Sequence, residues 1–173
     1  MKLRSLPLLL AITAGLASTA AQAATTGTLR FVGQVNAGTC NLSAGDENRT
    51  ITLPTVKVPD FNDSSPVGRH PFELTADCES DIKNVLFLFT GTPSAGNGAL
   101  FSNTGTSGGT ALQLSHRNVA YIPANGTVAQ RTRQIATSGG KAVLPMDADY
   151  GKTGAAITAG SLASVVTVSI TYN

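Results

Sequence analysis

Carboxylates are the side chains here whose spacing most invites a chemical reading. Asp77, Glu79 and Asp81 fall at intervals of two around Cys78, and Asp147 and Asp149 repeat the interval. Alternate residues of an extended strand share a face, so either set could bring two carboxyl groups together for general acid and base work. The plainer expectation is solvated strand ends and loops. His70 and His116 lie far apart, beside Arg69 and Arg117. They lack the short ligand spacing of a zinc site and are expected at the surface. Gly91-Thr92-Pro93-Ser94-Ala95-Gly96 has the glycines of a phosphate loop, but Asn97-Gly98 stands where a lysine and a hydroxyl residue would hold phosphate and magnesium. Ser94 and Ser107 lack the pattern of a nucleophile elbow. Sequons at Asn41, Asn48, Asn62 and Asn125 would matter on a eukaryotic secretory route. No catalytic residue, metal ligand or cofactor is therefore expected.

What remains is a question of compartment. Met1-Lys2-Leu3-Arg4-Ser5 is followed by an apolar stretch from Leu6 to Leu16 and by small residues ending in Ala21-Gln22-Ala23. A short positive segment, an apolar run and an Ala-x-Ala site read as a secretory signal peptide over residues 1–23. The run is well short of the roughly 20 residues that span a bilayer, and Pro7 interrupts it. Cleavage after Ala23 leaves 150 of the 173 residues, enough for one domain with a proper core. It also removes Lys2 and Arg4, leaving ten basic against ten acidic residues. Without a basic stripe, nucleic-acid binding is not expected. Cys40 and Cys78 both lie in the exported part, where a lone pair of thiols normally forms a disulfide. Closing such a loop stabilises a fold by roughly 4 kcal/mol on the chain-entropy model, a large share of a typical domain's stability.

The elements that position these residues read as strands. Helical periodicity is scarce, whereas short apolar runs rich in Thr and Val alternate with turn residues. Strands are predicted near Gly27 to Val35, Thr50 to Leu53, Pro71 to Asp77, Val85 to Phe89, Ala111 to Ser115, Val119 to Ile122, Lys141 to Met146 and Ser164 to Tyr172. Asp60 to Gly68 and Gly91 to Gly109 are predicted loops, dense in Gly, Ser, Asn, Asp and Pro. Many short strands in one domain suggest a β-sandwich.

Alternation is clearest at the two ends. Leu162, Val166, Val168, Ile170 and Tyr172 fall on one face of the last segment, with mostly polar residues between them. In the first, Gly27, Leu29, Phe31, Gly33 and Val35 share a face opposite Thr28, Arg30 and Gln34. Taken alone, the pattern describes the outer strands of a closed sandwich.

The ordered set of fragments resembles the pilin subunits of chaperone–usher, type 1-like fimbriae. It comprises Gly27 to Val35 shortly before Cys40, Ile51-Thr52-Leu53-Pro54, Pro71-Phe72-Glu73-Leu74 running into Cys78, Gly160 as the fourteenth residue counted from the carboxyl end, and penultimate Tyr172. The resemblance covers essentially the whole chain. It implies an all-β fold, an incomplete immunoglobulin-like β-sandwich lacking its seventh strand and completed by a donor strand from a chaperone or a neighbouring subunit, a form of strand addition.

On that resemblance residues 24–36 are an N-terminal donor-strand extension and 37–173 the pilin domain. Gly27, Leu29, Phe31, Gly33 and Val35 would be the donor face; Gly160, Val166, Val168, Ile170 and Tyr172 would mark the acceptor groove and its recognition by the chaperone. Expected partners are a periplasmic chaperone, an outer-membrane usher, other pilin subunits and, through the assembled fibre, a host surface receptor. The expected location is the fimbrium at the cell surface. Met146, where relatives often carry an aromatic residue, and the Gly- and Ser-rich 91–109 segment depart from the pattern and leave open which subunit position this chain takes. The runner-up reading is a minor adaptor or a secreted carbohydrate-binding adhesin, but 150 residues with a donor extension leave no space for the extra receptor-binding domain of a tip adhesin.

Overall fold

A computed structural model describes residues 28–62 and 66–173. The expected signal peptide and Gly27 lie outside the described residues. The chain divides into two units, Met1–Val35 and Asn36–Asn173. In the first, residues 28–35 form no strand, and Leu29, Phe31, Val32 and Val35 are between 81% and 99% exposed. The predicted strand there has no ladder, since an extended segment alone has no partner for its backbone N–H and C=O groups.

The second unit carries the sheets. Its strands are β1 (Cys40–Leu42), β2 (Val67–Cys78), β3 (Asn84–Gly91), β4 (Thr110–His116), β5 (Ala120–Tyr121), β6 (Thr132–Ala136), β7 (Lys141–Lys152) and β8 (Val166–Tyr172). A five-stranded sheet runs β1-β2-β7-β4-β5 and a three-stranded sheet β6-β3-β8, all pairings antiparallel. Period-two burial builds the core between them. Phe72, Leu74 and Ala76 of β2, Val85, Phe87 and Phe89 of β3, and Leu144, Met146 and Ala148 of β7 all point inward. Cys40 stands opposite Cys78 in the β1–β2 register, and the two form a disulfide.

Several boundaries differ from those read in the sequence, each for a physical reason. The strand Lys141 to Met146 runs on to Lys152, past two aspartates that are buried rather than solvated: Asp147 is 3% and Asp149 1% exposed. Arginines make this tolerable, as described below. β1 and β6 were not expected, because each is short and largely polar; Thr132–Ala136 has Ile135 as its only large apolar side chain. Thr50 to Leu53 is not a strand: Ile51 and Leu53 are half-buried, but no neighbour supplies a ladder. The predicted Val119 to Ile122 strand shrinks to Ala120–Tyr121, and the last strand starts at Val166. Loop 91–109 is not wholly irregular. Phe101 bridges to Pro93 and Leu112 and is completely buried. Two short helical segments are additions: a 3-10 turn at Val58–Phe61, overlapping the start of the predicted Asp60 to Gly68 loop, and a single turn at Val128–Arg131. Thr127 caps the latter, its Oγ1 accepting from the Gln130 N–H while the Gln130 side chain accepts from the Thr127 N–H.

Candidate functional site: an uncovered groove beside the last strand

β8 is paired on one side only. Its neighbour β3 takes Val166 to Tyr172 in register with Gly91 to Val85, and no strand among the described residues lies on the other edge. The direction of its backbone groups follows from the ends of the segment. Asn173 and Asn84 exchange both N–H···O bonds, at 3.1 and 3.2 Å. Antiparallel pairing alternates, so Thr171, Ser169 and Thr167 also turn their backbone groups toward β3. Earlier in the same register, the Ala163 and Ser161 carbonyls accept from the Thr104 and Ser107 N–H groups. Val166, Val168, Ile170 and Tyr172 therefore aim their N–H and C=O groups at the open edge.

The same residues carry the inward side chains. Val166, Val168 and Ile170 are half-buried and pack on the core, while Thr167 and Ser169 are exposed. Opposite them lie Leu42, Ile51 and Leu53, also half-buried against the core. Between these walls runs a groove, with one stretch of about 600 Å³ from Leu53 and Tyr150 to Leu162 and Val166. A second, of about 440 Å³, runs from Leu42 to Val168 over Phe72, Leu74 and Phe89. Arg49, Ile51, Leu114, Val165 and Val166 line both, so the stretches are continuous. The half-buried residues packed against the core are thus largely the groove's own walls: along this line the core is uncovered.

Side chains hold the walls apart. Arg49 bonds Asp46 Oδ1 at 3.0 Å and the Glu73 carbonyl at 2.8 Å, and Asp46 Oδ2 accepts from the Thr75 N–H at 2.8 Å. These bonds satisfy the β2 edge beyond the end of β1. On the other wall Asn103 accepts from the Ala163 N–H at 2.9 Å and donates toward the Ser107 and Ser161 carbonyls. Sequence reading put Val166, Val168, Ile170 and Tyr172 on one face by alternation; of these Val166 and Val168 line the groove, Ile170 packs on the core beside it and Tyr172 lines neither stretch. It missed Leu42, Asn103 and the Arg49–Asp46 pair, which show no periodicity. Gly160 lies outside the groove lining, pressed against the Thr106–Ser107 backbone. Tyr172 is 39% exposed.

The other candidates are engaged structurally. Asp77 accepts from Lys141 Nζ and Ser43 Oγ, which lower its carboxyl from the ordinary value. Asp81 caps the Gly38 N–H at 2.8 Å. Asp147 Oδ1 meets Arg117 Nε at 3.1 Å, and Arg69 Nε lies 3.5 Å from Asp149 Oδ1. Burial nonetheless pushes the Asp149 carboxyl upward, against the opposing pull of Arg69. His116 is shifted down by burial and by nearby Arg133.

Two antiparallel sheets, a disulfide across the first strand pair and a core left open beside the last strand define an incomplete immunoglobulin-like domain. The fimbrial protein family model matches residues 29–173, and the chain belongs to that family. It is 32% identical over 142 residues to the type 1 fimbrin D-mannose specific adhesin of Escherichia coli, a match covering 80% of this chain and 41% of the adhesin. It is 31% identical over 165 residues to the minor fimbrial subunit HifD of Haemophilus influenzae, covering 85% and 74%. The crystal structure of the P pilus rod subunit PapA shares the fold, with a TM-score of 0.63 at 20% identity over 78% of this chain and 99% of PapA. The chain is a structural subunit of a bacterial fimbria, displayed at the cell surface.

Proposed function

We propose that the subunit polymerises by donor-strand exchange: residues 24–36 of one copy fill the groove beside β8 of the next, with Gly27, Leu29, Phe31, Gly33 and Val35 facing inward. The carrying observation is that Val166, Val168 and Ile170 offer apolar side chains and unpaired backbone groups along one line. An incoming strand would gain both a ladder and a core. Exposed Leu29, Phe31 and Val35 are the matching half; burying each contributes roughly 1.5 to 3 kcal/mol, and each ladder bond roughly 0.5 to 1.5 kcal/mol. An uncovered apolar edge aggregates, so a periplasmic chaperone fills the groove first and an outer-membrane usher directs the exchange. Gly160 and Tyr172 belong to the end that the chaperone reads. The domain serves as a building block, not a catalyst, and adhesion is the outcome of the assembled fibre.

Deleting Ala24 to Val35 and expressing the subunit with its chaperone tests this reading. The truncated subunit should reach the chaperone-bound state and fail to polymerise; continued polymerisation would rule out the donor assignment. Appending Thr28 to Asn36 after Asn173 through a short linker should give a more stable, soluble monomer.

A further inference from the structure

A second cavity lies away from the groove, on the outer face of the five-stranded sheet. It measures about 300 Å³ and sits between the start of β2 and the β4–β5 hairpin. A β-bulge shapes it. Val67 pairs with Tyr150 and His70 with Ala148, so Gly68 and Arg69 together oppose the single residue Asp149. Gly68 takes φ 67°, the left-handed conformation such a bulge requires. The extra residue places the Arg69 guanidinium beside both buried carboxylates, its Nε 3.8 Å from Asp147 Oδ2 and 3.5 Å from Asp149 Oδ1.

The lining has a polar floor and an apolar rim. Asp147 forms part of the floor with its side chain only 4% exposed. Arg117 fixes it through Oδ1 and is itself anchored on the Phe72 and Met146 carbonyls at 3.1 and 3.0 Å. Among the described residues, Asp147 Oδ2 has the long Arg69 contact and no hydrogen bond. Behind Arg69, the fully buried Asp149 Oδ2 also has no hydrogen-bond partner among them. Arg69 remains 60% exposed, within reach of a ligand. Ser115 adds a hydroxyl, and Asn118, held at φ 58° in the hairpin, adds an amide. Val119 and Tyr121 stand on the rim, 67% and 60% exposed.

This mixture selects among ligand classes. Two carboxylates disfavour an inorganic anion, and an arginine between them disfavours a divalent cation. The volume is at the lower limit for a ligand site, too small for a folded partner or a peptide strand. A fixed acceptor, a charged donor, a hydroxyl, an amide, the His116 imidazole and an exposed aromatic residue border one cavity. Adjacent sugar hydroxyls both donate and accept, and the C–H face of a pyranose packs on an aromatic ring. We propose that this cavity binds a single hexose-sized residue of a glycan. One such site is weak; if the subunit polymerises as proposed, repetition along the fibre multiplies its avidity, whereas the site itself does not depend on polymerisation.

The test is saturation-transfer NMR on the full chain with a panel of methyl hexosides, alongside sulfate and calcium as competing probes. At least one hexoside should give transfer. Tyr121→Ala, at an exposed rim position, should weaken it about tenfold with the melting temperature unchanged, and Arg69→Gln should do the same through a lost charge-assisted hydrogen bond. Should Arg69→Gln prove unstable for want of a counter-ion, Tyr121→Ala alone decides. No transfer from any hexoside, unaltered transfer in Tyr121→Ala, or saturable binding of sulfate or calcium instead would each overturn the proposal. Failure here leaves polymerisation of the truncated chain as a separate result, so the two readings fall independently.

Discussion

Gly160 lies so close to Ser107 that a methyl group on its Cα would stand 2.4 Å from the Ser107 backbone nitrogen and 2.6 Å from the Thr106 carbonyl carbon. Both are backbone atoms and cannot rotate aside. Gly105 returns the contact, its hypothetical Cβ falling 2.3 Å from the Ser161 carbonyl oxygen. Two backbones therefore meet without side chains between them, and this clasp leads into the groove wall at Leu162. Gly160→Ala should cost about 1 to 3 kcal/mol, the range for overpacking a tight site. Gly45→Ala, which would meet nothing within 4 Å, should stay within about 0.5 kcal/mol of the parent. Urea unfolding of both variants checks this; equal stability would mean that the clasp opens freely.

That contact also marks how far the sequence could be read. Alternation at Leu162 to Tyr172 located a strand and its inward face, because half-buried strands bury every second residue, while the unbroken apolar run Val85 to Phe89 located a strand but not which side faces inward. The Gly- and Ser-rich 91–109 segment reads as a loop, and residues 154–161 carry no predicted element. Their glycines are instead required by each other's backbones, a long-range fact with no local signature. The groove was legible on the β8 side alone; its other wall, Leu42, Ile51 and Leu53, belongs to a segment with little or no sheet pairing. Asp147 and Asp149 ended the predicted strand early for a similar reason: their tolerance depends on Arg69 and Arg117, which lie 78 to 80 and 30 to 32 positions away along the chain.

The Cys40–Cys78 bond closes a loop with a sequence separation of 38. A loop of that length contributes about 4 kcal/mol on the chain-entropy model. It also tethers β1, a three-residue strand that forms one wall of the second groove stretch through Leu42. Replacing both cysteines by alanine should lower the unfolding free energy by about that amount and lower the yield of chaperone-bound subunit. A loss below about 1 kcal/mol in chemical denaturation would show that β1 holds its place without the bond.

Val168 and Ser169 are adjacent residues with opposite duties. Val168 faces the groove with its backbone groups on the open edge; Ser169 is exposed and pairs toward β3. Val168→Asn should weaken binding of a peptide spanning Thr28 to Asn36 by at least about tenfold, since a buried apolar side chain of this size is worth roughly 1.5 to 3 kcal/mol. Ser169→Asn should leave affinity within about twofold. Fluorescence anisotropy of a labelled peptide on the chaperone-released subunit distinguishes the cases, and equal losses in both variants would move the groove elsewhere.

Asp149 and Asp77 should give opposite pH signatures. Burial, reinforced by Asp147 and opposed by Arg69, raises the Asp149 carboxyl above its ordinary 3.8. Between that value and the raised one, the folded state holds a proton that the unfolded state has released, so stability falls as pH rises through the window and stays lower above it. Hydrogen bonds from Lys141 and Ser43 lower Asp77 below 3.8. Its contribution is present above 3.8 and disappears as pH falls through the depressed value. Because the Asp77 side chain is about half exposed, salt should screen its share. Urea midpoints measured from about pH 2 to pH 8 should therefore lose their decline above 3.8 in Asp149→Asn and lose part of their acid limb in Asp77→Asn. A decline that survives unchanged in Asp149→Asn would assign it to another carboxyl and leave the Arg69 pair without an energetic role.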